Sequence, residues 1–257
     1  MRSKWIRGLW RLGQPAVRTS GRDLIKLPGL YAQFLKERSQ FVRMSGEAPF
    51  EELHPNLFDK TPATQTGARF GGHYFYQDIW ALNKLAESKP ALHHDVGSRY
   101  DGFVGQATAI CPVISYDIRP PDFELPRFQF CIANILELPL ADESVGSLSC
   151  LHVAEHIGLG RFGDALDPEG TTKALRELSR VLRRGGELLF SMPIGRERVC
   201  FNAHRIWHPE KPIELFPELL LAEFKAVDDG GSFQQSVAPA DFAAANYSCG
   251  LYRFVKA

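Results

Sequence analysis

Apolar residues in the second two-thirds of the chain fall into short runs separated by stretches of helical periodicity. Runs suited to buried strands occupy 92–96, 112–117, 128–133, 147–152, 187–192, 224–228 and 251–255. The clearest helix is 171–182, TTKALRELSRVL, where Leu175, Leu178, Val181 and Leu182 form one apolar face. Arg183-Arg184-Gly185-Gly186 then supplies basic residues and a glycine stop. Upstream, 74–87 sets Tyr76, Ile79, Trp80, Leu82 and Leu85 at helical spacing and ends before Pro90, so this helix is expected to pack on the first strand. Strand and helix taking turns predicts an α/β fold with a mostly parallel sheet covered on both faces. An antiparallel strand is expected among those after residue 220.

The N-terminal part reads differently. Residues 1–12 pattern as a short amphipathic helix, with Trp5, Leu9 and Leu12 on one face, Ile6 and Trp10 beside them, and Arg2, Arg7 and Arg11 at polar positions. From 13 to 69 a helical pattern over 24–42 gives way to punctuation such as Glu47-Ala48-Pro49 and Lys60-Thr61-Pro62-Ala63-Thr64. The division expected is a basic helical extension, 1–69, followed by one domain, 70–257.

Charge sharpens that division. The 30 basic and 30 acidic residues cancel overall, which argues against bulk attraction to nucleic acid. Residues 1–44 nevertheless carry ten Lys and Arg against Asp23 and Glu37 alone. Two tryptophans on a cationic helix suit a membrane interface, and they equally suit a contact with the chain's own domain or with a second copy. Both readings of residues 1–13 stay open, peripheral membrane contact and homodimer. No run of eighteen apolar residues is present, and the location expected is the cytoplasm, with membrane association as the variant. Five cysteines, widely spaced and without a C-x-x-C pair, suggest neither a disulfide framework nor a zinc site, so no metal is expected.

Candidate chemistry begins at two strand ends. Asp95-Val96-Gly97-Ser98-Arg99 closes the first strand, and Ser115-Tyr116-Asp117-Ile118 closes the next. A glycine lets backbone approach a ligand, and a carboxylate at the second strand end can accept from two ribose hydroxyls; together they point to a nucleoside cofactor. A dinucleotide would require G-x-G-x-x-G at the first turn, which this chain does not supply.

The turn Asp95-Val96-Gly97-Ser98 resembles that of the class I S-adenosylmethionine-dependent methyltransferases, and three further segments follow in the family's order. Asn134-Ile135-Leu136-Glu137-Leu138-Pro139-Leu140-Ala141-Asp142 is similar to its third-strand segment, and His152-Val153-Ala154-Glu155-His156-Ile157 to its fourth. Leu178-Ser179-Arg180-Val181-Leu182-Arg183-Arg184-Gly185-Gly186 is similar to the step into its fifth strand. The resemblance covers about 70–257 and implies a Rossmann-like, doubly wound, seven-stranded sheet. It implies S-adenosylmethionine as cofactor, held by Asp95, Gly97, Ser98, Asp117, Ile118, Asn134 and Ile135, with methyl transfer to a small-molecule or glycan-like acceptor. Arg99 departs from the family's second glycine, and Asn134 from its aspartate. The stretches 158–170 and 201–205 resemble one branch of unknown function, for which surface-glycan synthesis is the implied context.

On this reading His152, Glu155, His204 and Arg205 border the reacting centre, because His152 and His204 sit at strand ends and have a suitable intrinsic pKa. The long polar loop 158–170 is expected to meet the acceptor through Arg161, Asp164 and Asp167, joined by Asn202. Competing readings use the same residues. His152-Val153-Ala154-Glu155-His156 fits the H-x-x-E-H pattern of an inverted zinc protease, but a strand end at His152 would splay the imidazoles. A methyltransferase-like scaffold without turnover is the main alternative function, and an NAD-dependent oxidoreductase is supported only by Asp117.

Overall fold

The computed structural model describes residues 21–45, 52–53 and 71–257. In chain order the elements are α1 (Gly21–Ser45), β1 (Glu52–Leu53), α2 (His73–Ser88), β2 (His93–Val96), a π-turn (Tyr100–Val104) running into α3 (Gly105–Ala107), β3 (Val113–Asp117) and β4 (Phe128–Ile132). Then come β5 (Val145–Leu151), a 3₁₀ turn (Ala154–His156), α4 (Gly170–Val181), β6 (Leu182–Ile194), β7 (Arg198–Phe201) and β8 (His204–Ile206). The chain ends through α5 (Lys211–Leu215), β9 (Leu219–Val227), β10 (Phe233–Gln234) and β11 (Ser248–Lys256).

All seven expected strands are present, in one sheet ordered β10-β9-β11-β6-β5-β2-β3-β4. The two-residue β10 adds an eighth strand. β4, β3, β2, β5 and β6 run parallel, whereas β11 is antiparallel to both β6 and β9, as the late-strand expectation held. Burial follows the predicted periodicity: Leu175, Leu178 and Val181 of α4 are fully buried, each contributing about 1.5–3 kcal/mol. One expectation fails. α2 makes its contacts with the turn after β2 and with β9 and β11, and its buried Trp80 donates to Glu223 at 2.7 Å.

A second, three-stranded sheet, β1-β7-β8, was not foreseen. It anchors part of the N-terminal extension: Glu52 and Leu53 pair with Cys200 and Phe201. Phe34 and Phe41 of α1 are buried in a cluster with Leu159 and Phe201. The amphipathic pattern expected over residues 1–12 lies outside the described residues.

The strand order places the functional crevice. From β2 the chain proceeds outward through β3 and β4, then crosses back to β5 on β2's other side and continues to β6. Loops leaving the carboxyl ends of β2 and β5 therefore diverge and leave a cleft between them.

Candidate functional site

At that cleft the β2 loop and the β5 loop meet at Gly97. Its φ of +69° favours glycine, and a Cβ there would lie 2.8 Å from Val153 Cγ1. His152, one residue earlier in the β5 loop, also has positive φ, +55°, a strained conformation for a side-chain-bearing residue. The strain is held by hydrogen bonds. The His152 amide donates to both the carbonyl and the hydroxyl of Ser191, each at 3.1 Å, and Ser191 Oγ donates to the buried Gln77 at 2.5 Å.

The residues assigned to a cofactor separate into two groups. Asp95 and Ser98 are buried beneath the turn and shape it. Asp95 accepts from the Ser98 amide at 3.1 Å and from Ser149 Oγ at 2.5 Å, while Ser98 Oγ accepts from the Leu151 amide at 3.1 Å. Burial pushes the Asp95 carboxyl up to about 6. Asp117 instead faces the cleft side at the end of β3. It receives the Arg119 amide at 2.9 Å and Arg119 Nε at 3.5 Å, both on Oδ1, so Oδ2 has no partner among the described residues. That oxygen is what a ribose diol requires.

Ile118, 45% exposed, follows Asp117 as an apolar surface for a base. Asn134 is exposed with its Oδ1 accepting from the Leu136 amide at 3.0 Å, and Ile135 is buried in the core, so only its backbone is available. Arg99 turns away into a fork on Asp101, at 2.9 and 2.6 Å, and lies 4.6 Å over the Tyr74 ring. These residues fit S-adenosylmethionine: a bare glycine turn after β2, and, at the end of the adjacent strand β3, a carboxylate oxygen without a partner followed by an exposed apolar side chain.

Beyond the turn lies a histidine cluster. His152 Nδ1 is 2.7 Å from Glu155 Oε1, both side chains buried. Burial opposes the charge on His152, but Cys249 and the Glu155 carboxylate hold it protonated, well above the usual imidazole range. Burial likewise opposes the Glu155 charge, and His156 and His152 outweigh it to keep the carboxyl low. His156 Nδ1 sits 2.6 Å from the Ala203 carbonyl. Its Nε2 lies 3.7 Å from the same Glu155 Oε1 that His152 meets, so the two imidazoles of the H-x-x-E-H stretch flank one carboxylate.

The cluster includes residues the sequence did not single out. The His73 ring lies 5.4 Å from that of His152 and 4.8 Å from that of Tyr247, and the Tyr74 ring is 5.0 Å from His152. His204, expected at the site, packs 5.1 Å from Tyr247. Burial, aided by the charge on His152, lowers His73 to about 4. Thus the first turn of α2 meets the site through His73 and Tyr74. Tyr76 stacks on Phe233 instead.

The loop residues expected to bind an acceptor are largely engaged within the loop. Asp164 accepts from the Gly158 amide at 2.6 Å and the Phe162 amide at 3.2 Å, and Asp167 pairs with Lys173 at 2.6 Å. Arg161 reaches the Ala203 carbonyl at 3.2 Å. Asn202 is nearly buried, its Oδ1 without a hydrogen-bond partner. Arg205, placed by the sequence at the reacting centre, is buried and grips the carbonyls of Ile157, Asp167 and Pro168 at 2.6, 3.1 and 3.1 Å, and Thr171 Oγ1 at 2.9 Å. In this position it clasps the loop. A separate groove of about 720 Å³, lined by Pro120, Phe123, Leu125 and Phe128, contains none of these residues.

Comparison with known proteins agrees with the fold. A family described as "Caenorhabditis protein of unknown function, DUF268" matches residues 142–244, from β5 through the turn before β11. Among curated proteins none matches the chain. A Galdieria sulphuraria protein assigned as a sarcosine dimethylglycine methyltransferase is 14% identical, with TM-score 0.51, over 71% of this chain and 86% of its own. A chain of the complex between the Haloferax volcanii Trm112 methyltransferase activator and a protein assigned as a methyltransferase gives 13% identity and TM-score 0.51, over 72% and 90%. The [4+2]-cyclase SpnF gives 13% identity and TM-score 0.50, over 74% and 88%. The chain has the Rossmann-like methyltransferase fold.

Proposed function

We propose that the protein is an S-adenosylmethionine-dependent methyltransferase acting on a small-molecule or glycan-like acceptor. The observation that carries this reading is the alignment at one switch point of the Gly97 turn, the Asp117 carboxylate and the His152–Glu155 pair. The backbone at Gly97, the Asp117 Oδ2 atom, Ile118 and Asn134 would hold the cofactor, which when bound supplies an electrophilic methyl group on a sulfonium. His152, Glu155, His204 and Tyr247 border the acceptor. His152, paired with Glu155, orients the acceptor; His204 is the proton acceptor where the acceptor atom is a hydroxyl. A small acceptor is supported by the Galdieria relative, named for sarcosine and dimethylglycine. The glycan-like class rests on the sequence resemblance.

The second reading is a methyltransferase-like scaffold without turnover. Release of S-adenosylhomocysteine across cell-extract fractions separates the two, and calorimetry on the purified chain tests the cofactor. The expected result is heat of binding with S-adenosylmethionine and S-adenosylhomocysteine and none with NAD. Silence with both at millimolar concentration overturns the cofactor assignment, and a response to NAD alone favours an oxidoreductase.

A further inference from the structure

We propose that His73, His152 and Cys249 form a binding site for a zinc-class divalent cation at the floor of the cleft. The three come from the first turn of α2, the end of β5 and the start of β11, and their ligand atoms all lie within 4.8 Å of one another. In a tetrahedral zinc sphere such atoms stand about 3.5 Å apart, so closure asks for movements of roughly 1 Å. Two rings on one tetrahedral ion have centroids about 5 Å apart by the same bond lengths; those of His73 and His152 are 5.4 Å apart, and because they are stacked, one ring must turn to bring both lone pairs onto the ion.

The surrounding hydrogen bonds point the same way. A metal-bound histidine donates its other ring nitrogen to a carboxylate or carbonyl, which fixes the tautomer and aims the lone pair at the ion. His152 Nδ1 is on Glu155 at 2.7 Å, and the His73 ring is hydrogen-bonded to the Tyr247 backbone. Away from Glu155, the buried His152 ring has the Cys249 thiol as its hydrogen-bond neighbour, so two of the three ligand groups already face each other. Two imidazoles and a thiolate are a borderline-soft set, suited to Zn²⁺ over Mg²⁺ or Ca²⁺.

Cysteine spacing hid this site, because only one thiol takes part and its partners lie far off in sequence. Three protein ligands leave a fourth position for water or, if the methyl-transfer reading holds, for the acceptor atom. Only that last clause rests on the proposed function; cation binding is measured without S-adenosylmethionine, so either idea fails alone.

The test uses the full chain, stripped with chelator, checked for retained circular dichroism, then titrated with Zn²⁺ or Co²⁺. One equivalent should bind, and Co²⁺ should show tetrahedral bands with a thiolate charge-transfer absorption. Cys249→Ser should abolish that absorption and Glu155→Gln should weaken zinc binding about 10–100-fold, while Cys111→Ser changes neither. X-ray absorption at the zinc edge of the unmodified chain, which needs no variant to fold, should show one sulfur and two imidazoles. Absence of zinc binding by the folded chain, a sphere with no sulfur or several, or equal affinity in Cys249→Ser overturns the proposal.

Discussion

Arg99 stands on ordinary extended backbone, φ −66° and ψ 132°, so the second position of the turn does not need a glycine. Only Gly97 does, for its φ and for the approach of Val153. On the proposed function, Asp117 is the residue that recognises the nucleoside. Asp117→Ala should weaken S-adenosylmethionine binding by about 1.5–3 kcal/mol, the scale of hydrogen bonds to a charged group, with Asp117→Asn intermediate. Calorimetry measures this alongside thermal melts, because Asp117 also receives the Arg119 amide and its loss should cost about 1 kcal/mol of stability. Unchanged affinity in a folded Asp117→Ala removes this residue from the site. The Gly97 turn and the β3 strand end were legible because turn chemistry is local. His73, Tyr247 and Cys249 were not, since no local pattern announces that three distant segments meet.

At the scale of elements, length and polarity marked the loop between the 3₁₀ turn and α4 as one that meets an acceptor, and the structure ties that loop to the domain. Gly158, at φ +82°, passes so close to the Asp167 carbonyl that a Cβ would lie 1.9 Å from it, and Leu159 is fully buried. Arg205 completes the tie from β8, and burial lowers its guanidinium only to about 10, so it stays charged. Arg205→Ala strands several carbonyls at once and should destabilise the protein by roughly 2–4 kcal/mol. Arg205→Lys should recover little of this, because an ammonium does not reproduce the planar fork. Hydrogen exchange should show lost protection concentrated at 157–171. Loss spread evenly over the sheet instead would mean that Arg205 supports the whole fold. The strands themselves were read correctly to within a few residues, except β6 and β9, which begin at Leu182 and Leu219 rather than near 187 and 224. In β6 the pairing with β5 jumps from Leu182 to Glu187, so the Arg-Arg-Gly-Gly segment read as a helix stop is bulged out of the ladder.

For the molecule as a whole, the centre of the sheet is unexpectedly polar. His93 is completely buried, with Nδ1 2.8 Å from Ser147 Oγ and Nε2 2.9 Å from Ser149 Oγ, and Ser149 donates onward to Asp95. Because Ser149 spends its proton on Asp95, His93 Nε2 donates to Ser149, and with the imidazole kept neutral by burial Nδ1 accepts from Ser147. Burial lowers His93 to about 3, against an ordinary value of 6.5. A histidine depressed on folding contributes stability that is fully present above pH 6.5 and is lost as pH falls through that value toward 3. Asp95, raised to about 6, acts in the opposite sense: its contribution is present below 3.8 and lost as pH rises through 6. The two partly cancel in the native chain. Comparing it with His93→Gln, whose amide reaches both serines, isolates the histidine because Asp95 is common to both. Urea midpoints should show the native chain losing about 2–3 kcal/mol relative to the variant between pH 7 and pH 4.5. A gap that does not change with pH would mean that His93 takes up its proton inside the folded sheet as readily as in the unfolded chain.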